Sequence, residues 1–418
     1  MSAIETDADR LLAIAADLPP PFVLLEDGRG AGASHLVWGS AARRRIAWTA
    51  EVPALGDLAG PDAWYGAVAY DPGLPPPAAR RRPLVAQPLA DLFLPTQRIV
   101  VDGPSHRARC HGAEAAERWA ASAPPRAVEA PTQGRSARSE ASALPPVRSF
   151  DEATFGAAVS RALDYIAAGD IYQVNLSVAE RIPLADPPLE VYRRLRGINP
   201  SPWMGYADFG DWQLVCGSPE LLVEVREGQA VARPIAGTRK KTGDAATDAR
   251  MRHELATDTK EAAEHVMLVD LARNDLGRIA AFGSVAVART AAVEEYSHVM
   301  HLVSDVRARL RSGVTPLEVF EAMFPGGTIT GVPKIRAMEI IAELEPVARG
   351  GYTGALGWTG RDAAQWNIVI RSAVMSGGWA VVQAGAGIVA DSDPGREWRE
   401  SLRKASAMRV ALGLPPGP

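Results

Sequence analysis

The feature that most constrains how this chain folds is a segment, residues 121–148, that nearly lacks large apolar side chains. It reads ASAPPRAVEAPTQGRSARSEASALPPVR and is rich in Ala, Pro, Ser and Arg. Such a segment cannot bury enough apolar surface to offset the conformational entropy lost on folding. We therefore predict a linker or surface loop at 121–148, between a smaller N-terminal region at 1–120 and a larger domain at 149–418.

The larger domain mixes helical and strand patterns. Apolar residues at helical spacing predict helices over 155–168, 258–270, 335–344 and 397–412. Alternating or continuous apolar runs predict strands at IYQVNLSVAERI, WQLVCG, LLVEV, GALGWTG, WNIVIRSAV and AVVQAGAGIV, and in the N-terminal region at PFVLLE and WYGAVAY. Long strands that look antiparallel, combined with helices, indicate an α+β fold rather than repeated βαβ units.

Composition excludes several classes of protein. The 418 residues are 47% hydrophobic and 22% charged, as in ordinary globular proteins. A net charge of -4 without a polybasic region argues against a nucleic-acid partner. No apolar run is long enough to span a bilayer and no signal segment is apparent, so we expect no membrane association. Two cysteines, Cys110 and Cys216, form no disulfide framework, and we expect a reducing, cytoplasmic location.

The stretch FPGGTITGVPK at 324–334 has the frame of a phosphate-binding loop without its chemistry. A P-loop requires a lysine and then a hydroxyl residue directly after its second glycine. Here Val332 and Pro333 follow Gly331, Lys334 arrives two positions late, and no hydroxyl follows it. The loop therefore lacks the chemistry of a P-loop, and any anionic ligand must be recognised by other residues.

Two acidic pairs repeat one helical spacing. Glu261 and Glu264 lie three residues apart, as do Glu397 and Glu400, with Lys404 four residues beyond Glu400. Each pair shares one helix face, and two such faces could meet around a hard cation such as Mg²⁺. The same spacing also occurs on solvated faces with ordinary ion pairs, so spacing alone leaves both interpretations open.

Two further features accompany the acidic pairs. Gly385 and Gly387 flank Ala386 at the end of an apolar strand, where small residues let backbone N–H groups approach a ligand. Arg371 directly follows the apolar run WNIVI, where an unpaired charge would be costly to bury. We therefore predict a carboxylate partner for Arg371, either on a ligand or on another residue of the protein.

Taken together, these segments resemble the chorismate-utilising enzymes, which comprise anthranilate synthase component I, aminodeoxychorismate synthase component I, and the isochorismate and salicylate synthases. The motifs that carry the resemblance follow the family's order over roughly residues 150 to 412: GDIYQVNLS, NPSPWMGY, GSPELL, RPIAGTR, KEAAEHVMLVDLARNDLGRI, YSHVMHLVS, FPGGTITGVPKIRAMEIIAELEP, GGYTGALGW, NIVIRS, QAGAGIVADS and EWRESLRKA. The N-terminal third resembles the family more loosely, through PFVLLE. The fold implied is a chorismate-binding α+β assembly of two packed, largely antiparallel sheets flanked by helices.

The resemblance implies a role for each matching residue. The implied cofactor is Mg²⁺, held by Glu264 and Glu400 with Glu261 and Glu397 as close supports. The residues implied to bind chorismate are Gly237, Thr238, Tyr352, Arg371, Gly385, Ala386, Gly387 and Lys404. Glu220 matches the family's general acid, which protonates the departing 4-hydroxyl, and His301 matches a histidine beside the leaving groups.

Gln173 bears on the nucleophile. Water-using members of the family have a lysine at this position as general base, and an amide cannot take a proton at neutral pH. Gln173 therefore favours ammonia. Neither Cys110 nor Cys216 lies in the Gly-x-Cys-x-Gly elbow of class I amidotransferases, so we expect ammonia from a separate glutamine amidotransferase subunit, with free ammonia as the alternative donor.

The product is the finer question. GGTITGVPK with NIVIRS resembles the aminodeoxychorismate branch, which we take as the first hypothesis, with anthranilate synthase component I as the alternative. Ala236 stands where some aminodeoxychorismate synthases have a nucleophilic lysine, which closes that covalent route, and we expect the nearby Lys240 and Lys241 to point away from the site. A third hypothesis, a non-catalytic chorismate-binding subunit, would not need the acid Glu220.

Overall fold

The computed structural model describes residues 3–4, 7–27, 33–46, 63–71, 83–122, 127–128, 145–295 and 299–417. Most of the predicted linker, at 123–126 and 129–144, lies outside the described residues, so the linker stays a prediction.

The described residues form nine α-helices. They are α1 (Asp7–Ala15), α2 (Ala113–Ala121), α3 (Glu152–Ala167), α4 (Pro188–Ile198), α5 (Ala245–Thr257), α6 (Thr259–Gly277), α7 (Pro316–Met323), α8 (Lys334–Leu344) and α9 (Pro394–Ala411). The four helices predicted from sequence correspond to α3, α6, α8 and α9. The caps explain several of the boundaries: Asp151, Thr315 and Asp393 each accept a hydrogen bond from a backbone N–H of the first turn of α3, α7 and α9.

The strands of the described residues are β1 (Ala3–Ile4), β2 (Phe22–Asp27), β3 (Ala33–Trp38), β4 (Ala42–Ile46), β5 (Trp64–Val68), β6 (Ala90–Leu94), β7 (Gln97–Asp102), β8 (Arg107–His111), β9 (Ala127–Val128), β10 (Val147–Arg148), β11 (Gln173–Pro183), β12 (Trp203–Asp208), β13 (Gln213–Ser218), β14 (Leu221–Arg226), β15 (Gln229–Ala232), β16 (Ile235–Lys240), β17 (Ala286–Glu295), β18 (Val299–Arg309), β19 (Gly331–Val332), β20 (Ala355–Thr359), β21 (Ala364–Ile368), β22 (Ser372–Ser376) and β23 (Trp379–Ile388).

Two large sheets organise these strands. The first has the order β10-β11-β23-β22-β13-β12-β2-β3-β7-β8, with β19 added beside β11. The second has the order β16-β18-β15-β14-β21-β20-β5-β6-β4, with β17 added beside β18. Neighbouring strands pair antiparallel in both, for example β11 with β23 and β14 with β21. The predicted α+β fold of two largely antiparallel sheets with helices is confirmed.

The sheets continue across the predicted boundary between the N-terminal region and the larger domain. In the first sheet β2 pairs with β12, and in the second sheet β5 pairs with β20. The N-terminal strands therefore complete both sheets of the larger domain and share its apolar core, which includes Leu24, Leu356 and Phe93. Among the described residues, no helix is long and apolar enough to cross a membrane.

One predicted strand was wrong in a way that matters for the site. The run WNIVIRSAV is two strands, because β21 belongs to the second sheet and β22 to the first. The chain crosses between the sheets at 369–371, and Arg371 takes a left-handed backbone conformation with φ of 53°, which is uncommon for a residue with a side chain. An unbroken apolar run cannot reveal this crossing, because residues on both strands are buried.

A second crossing lies beside the first. Glu220 stands between β13 of the first sheet and β14 of the second. The backbones of the two crossings are joined, since the Ile368 N–H donates to the Glu220 carbonyl at 3.1 Å and the Gly217 N–H donates to the Arg371 carbonyl at 3.2 Å. Glu220 and Arg371 are thereby placed at the junction of the two sheets.

Candidate active site

A cleft with a volume of about 750 Å³ opens at this junction. Its walls come from both sheets, from α6 and from α9, which pack on β16 and on β23 respectively. Every site residue predicted from sequence lines it except Ala386, which is fully buried between its two glycine neighbours. The residues that the structure brings together are Gln173, Glu220, Gly237, Thr238, Glu261, Glu264, His301, Tyr352, Arg371, Gly385, Gly387, Glu397, Glu400 and Lys404.

Glu220 has the environment of a carboxyl that stays protonated. It is 7% exposed, and burial raises its pKa to about 7, against the lowering effects of a hydrogen bond from Thr328 and the charge of Lys404. The Thr328 hydroxyl lies 2.6 Å from Glu220 Oε1. A carboxyl with a pKa near 7 is suited to giving up a proton at neutral pH.

His301 on β18 is held by the neighbouring strand β16. Its Nδ1 lies 3.1 Å from the Gly237 carbonyl and 3.1 Å from the Thr238 hydroxyl. Because a carbonyl only accepts, Nδ1 carries a hydrogen in this contact. Burial lowers the pKa of His301 below its ordinary value. The imidazole is therefore neutral at pH 7.

Position 237 favours glycine, both for its backbone conformation and for the space around it. Its φ is 61°, and a Cβ there would lie 2.7 Å from Leu255 Cδ1 and 2.9 Å from Glu261 Oε2. The pairing of β16 with β18 shifts register between Ala236 and Thr238, so the chain bulges at this glycine. The bulge brings the β16 backbone close to the carboxylate of α6.

Arg371 and Tyr352 form the wall beside the crossing. Arg371 is half-buried at the cleft wall, burial lowers its pKa below the ordinary value, and one guanidinium nitrogen donates to the Lys404 carbonyl at 3.3 Å. Burial raises the pKa of Tyr352 to about 12, so its phenol stays protonated. The wall thus presents a cation and a hydroxyl, the groups suited to an anionic ligand.

The two acidic pairs face the cleft from α6 and α9. Arg239 holds Glu261 at 3.0 Å. Lys404 holds Glu400 at 2.8 Å and also donates to the Gly385 carbonyl at 3.0 Å. The i,i+4 ion pair that the spacing allows on α9 is therefore present, and Lys404 also ties α9 to the end of β23.

The α9 carboxylates differ in their acidity. Burial acts to raise the pKa of Glu400, but the charge and hydrogen bond of Lys404, with Arg403 and Arg371, lower it below the ordinary value. Burial raises the pKa of Glu397, against a hydrogen bond from Ser392. Glu400 is thus the more readily ionised of the two.

Carboxylate oxygens such as these are the kind of ligand that a hard divalent cation prefers. No three acidic, histidine or cysteine side chains of the described residues stand close enough together to hold a metal ion by themselves. Mg²⁺ commonly takes only one or two carboxylates and completes its shell with substrate oxygens and water. Carboxylates on two helices lining one open cleft fit that requirement.

Sequence reasoning missed several polar residues that the structure places in the cleft, among them Asn175, Thr328 and Gln383. Asn175 lies two positions beyond Gln173 on β11, and the amide oxygens of both side chains are buried with no hydrogen-bond partner in the described part of the chain. Residues two apart on a strand share a face, so the presence of Gln173 in the site was a signal for Asn175. Thr328 gave no such signal, since its contact with Glu220 spans 108 positions of sequence.

The prediction that Lys240 and Lys241 point away from the site was wrong for Lys240. Lys240 lines the cleft, whereas Lys241 pairs with Glu295 at 3.0 Å outside it. The reason is the bulge at Gly237, after which Thr238 and Lys240 stand opposite His301 and Val299 of β18, which also line the cleft. Without the extra residue, Thr238 would stand opposite Met300, which packs with Leu255 and Leu302 instead.

The sequence is similar to curated proteins from two branches of chorismate chemistry. It is 51% identical over 266 residues to aminodeoxychorismate synthase component 1 of Bacillus subtilis, covering 63% of this chain and 57% of that protein. It is 52% identical over 266 residues to anthranilate synthase component 1 of Thermus thermophilus, covering 63% and 58%. The chain thus spans little more than half the length of the curated relatives it matches.

Solved structures share the fold. Anthranilate synthase component I of Streptococcus pneumoniae matches with a TM-score of 0.76 and 29% identity, covering 90% of this chain and 92% of that one. The menaquinone-specific isochorismate synthase of Escherichia coli matches with a TM-score of 0.75 at 22% identity, covering 96% and 91%. At that identity the second likeness concerns the fold alone.

The family model described as chorismate binding enzyme matches residues 31–410, which include every residue of the cleft and all strands of the two large sheets except β2. The chain therefore belongs to the chorismate-binding enzyme family.

Proposed function

We propose that the protein aminates chorismate to 4-amino-4-deoxychorismate in a Mg²⁺-dependent reaction. The observation that carries the choice of nucleophile is Gln173, which is 3% exposed and lines the same cleft as the acid Glu220. An amide cannot take a proton from water, whereas ammonia is a competent nucleophile without a base. The amide oxygens of Gln173 and Asn175, which have no hydrogen-bond partner among the described residues, are free to accept hydrogen bonds from a bound nucleophile.

Glu220 supplies the proton that the departing 4-hydroxyl requires. At neutral pH a carboxyl with a pKa of about 7 is protonated in a large fraction of molecules and still acidic enough to donate. A subunit that only binds chorismate would not need such an acid, so a catalytic role is favoured over the binding hypothesis.

The remaining residues bind and orient a dicarboxylate. Arg371 and Tyr352 would hold the enolpyruvyl carboxylate, while Gly237, Thr238 and the segment from Gly385 to Gly387 form the cradle for the ring. Lys404 would meet the ring carboxylate or its metal ion. Charge-assisted contacts of this kind fix orientation as well as affinity.

Glu264 and Glu400 would hold Mg²⁺, with Glu261 and Glu397 beside them. When bound, the ion supplies positive charge that offsets the repulsion between the ring carboxylate and the glutamates.

Ammonia would come from a separate glutamine amidotransferase subunit, with free ammonia as the alternative donor. Glutamine hydrolysis needs an activated cysteine thiolate. Burial raises the pKa of Cys216 to about 12, and burial also raises the pKa of Cys110. Neither thiol is therefore suited to that chemistry.

Anthranilate synthesis is the second candidate, and Ala236 is the observation that favours it. Ala236 lines the cleft on β16, where it leaves no lysine to form a covalent adduct at ring carbon 2. Ammonia would then enter at carbon 4 without that adduct, or at carbon 2 to give the anthranilate precursor. Relatives from both branches match the chain at similar identity.

The test is to incubate the protein with chorismate, Mg²⁺ and ammonium, and to separate the products with and without added aminodeoxychorismate lyase. We expect 4-aminobenzoate only when lyase is present. Anthranilate as the dominant product would overturn the assignment in favour of the second candidate. Unchanged chorismate would favour the binding subunit, and substantial isochorismate without ammonium would show that Gln173 does not select the nucleophile.

Ala236→Lys sharpens the choice between the two amino products. If the protein makes aminodeoxychorismate, we expect amination at carbon 4 to persist, because the cavity already admits both the ring and ammonia. If the protein makes anthranilate, the new side chain fills the space from which ammonia attacks carbon 2, and fluorescent anthranilate should disappear. Both products are measured in the wild type and in the variant.

A further inference from the structure

The loop from Phe324 to Lys334 is wedged between the second sheet and α6. A Cβ at Gly326 would lie 2.8 Å from Ile368 Cδ1, and a Cβ at Gly327 would lie 2.1 Å from Leu271 Cδ2. Both neighbours would have to move to admit any other residue. The two glycines therefore serve close packing of this loop.

Two anchors hold the loop in that position. At its end, Lys334 Nζ lies 2.6 Å from Asp275 Oδ2 on α6, with side chains only 12% and 6% exposed. Just before it, β19 pairs with the start of β11, so Val332 is in register with Gln173. A buried ion pair fixes geometry strongly, since separating its partners leaves an uncompensated charge. The loop is thus joined to the helix that carries Glu261 and Glu264 and to the strand that carries Gln173.

Thr328 lies in the middle of this anchored loop, where the chain makes a single 3₁₀ turn at Gly327–Ile329. The Thr328 hydroxyl donates a hydrogen bond to Glu220 Oε1 at 2.6 Å. A hydroxyl that donates to Oε1 makes that atom the carbonyl-like oxygen of a protonated carboxyl. The acidic proton is then on Oε2.

We propose that Thr328 is a positioning residue for the general acid, and that the Lys334–Asp275 ion pair holds its loop so that the Glu220 proton is kept on Oε2. This inference rests on the proposed function, because Glu220 must act as the acid.

The proton transfer balances as follows. The lone pair of ammonia forms the new C–N bond at carbon 4 as the bond between carbon 4 and its hydroxyl oxygen breaks. The electron pair of that bond leaves with oxygen, the proton from Glu220 Oε2 makes the leaving group water, and the new amino group is formed as an ammonium. Glu220 is left as a carboxylate, whose charge the Thr328 hydrogen bond stabilises. Thr328 therefore makes the acid stronger as well as orienting it.

Other titratable groups also surround Glu220. Lys404 of α9 lowers the pKa of Glu220, in the same direction as Thr328. The other titratable side chains that line the cavities on either side of Glu220 are Arg233, Lys240, Glu261, Glu264, Asp275, His301, Tyr352, Arg371, Glu397, Glu400 and Arg403. Removing the hydroxyl of Thr328 leaves all of them in place.

The test compares the pH dependence of kcat in Thr328→Val and Thr328→Ser with the wild type. Valine keeps the shape and loses the donor, so we expect kcat to fall about tenfold and the basic limb to move to higher pH by roughly one unit. Serine keeps the donor and should restore the wild-type limb. Thr257→Val on α5 is the matched control, because among the described residues the hydroxyl of Thr257 bonds within its own helix, to the His253 and Glu254 carbonyls.

A second variant, Lys334→Met with Asp275→Leu, removes the anchor without leaving a lone buried charge. We expect the same upward movement of the limb with KM for chorismate nearly unchanged. The inference would be overturned if the basic limb of the pH profile of kcat did not move in either Thr328→Val or the double variant. If the wild type does not consume chorismate, the proposed function itself fails. If the wild type is active but Thr328→Val leaves the basic limb of its pH profile in place, only the inference about Thr328 fails.

Discussion

The two ends of the cleft each hold a glutamate, and the pKa values of these two carboxyls are shifted in opposite directions. At one end, which we call the acid end, Glu220 stands with Thr328 at the sheet crossing, and burial raises its pKa to about 7. At the other, which we call the helix end, Glu400 lies beside Lys404 on α9, and its pKa is lowered despite burial. The difference is in the neighbours. Glu220 has the Thr328 hydroxyl and the charge of Lys404 to oppose burial, whereas Glu400 pairs directly with Lys404 at 2.8 Å and also feels the charges of Arg403 and Arg371.

The contrast teaches how one cleft can hold both a proton donor and ligands for a cation. Environments that move two carboxyl pKa values apart assign them different roles. The acid end is placed by the crossing of the chain between sheets, while the helix end is placed by the packing of α6 and α9 on those sheets.

Removing the proton from the acid end should have the largest effect. Glu220→Gln keeps size and hydrogen bonding but has no acidic proton, so we expect kcat to fall by about 10² to 10⁴. Chorismate affinity, measured by equilibrium binding, should stay near the wild-type value. Near-normal turnover in Glu220→Gln would show that Glu220 is not the proton donor that distinguishes the acid end from the helix end.

Neutralising the helix end should have a smaller effect that depends on the metal. Glu400→Gln loses a charge-assisted contact worth on the order of 1.5–3 kcal/mol, so we expect turnover at limiting Mg²⁺ to fall about ten- to a hundredfold. Titration with Mg²⁺ should recover part of the loss. Glu339→Gln is the control, since Glu339 is on the exposed side of α8 and pairs with Arg336 at 3.0 Å. Equal Mg²⁺ dependence in the two variants would contradict the assignment.

The pH dependence of kcat should follow the acid end. Glu220 donates only when protonated, so activity should be retained below its pKa of about 7 and fall about tenfold per pH unit above it. Measuring initial rates from pH 6 to 9 at saturating Mg²⁺ and a fixed concentration of free ammonia isolates this limb. A profile that rises through that range would contradict the role of Glu220.

The smallest expected effect is on stability. The pKa of Glu220 is raised from an ordinary 4.5 to about 7, so the native state keeps a proton that the unfolded chain loses. Its contribution to stability is complete below about pH 4.5 and is lost as pH rises through 7. Glu220→Gln should therefore gain on the order of 1 kcal/mol relative to wild type at pH 8, seen as a higher thermal midpoint, and gain less at pH 5. Equal differences at both pH values would show that Glu220 is not buried as a neutral acid.

Much of the site could be predicted because its residues lie within local motifs. The spacing of Glu261 and Glu264, and of Glu397 and Glu400, places each pair on one face of a helix from sequence alone. Apolar periodicity also predicted α3, α6, α8 and α9, along with strand β11 around Gln173, since these elements bury one face over many residues. The motif order then identified the family, and with it the α+β fold.

What only the tertiary structure decided were contacts between distant parts of the chain. The crossing at Arg371 is hidden in an apolar run because both of its strands are buried, and the bulge at Gly237 that turns Lys240 into the cleft adds one residue to a regular alternation. The hydrogen bond from Thr328 to Glu220 and the ion pair of Lys334 with Asp275 join residues far apart in sequence. Periodicity reports which face of an element is buried, but packing alone determines what that face meets.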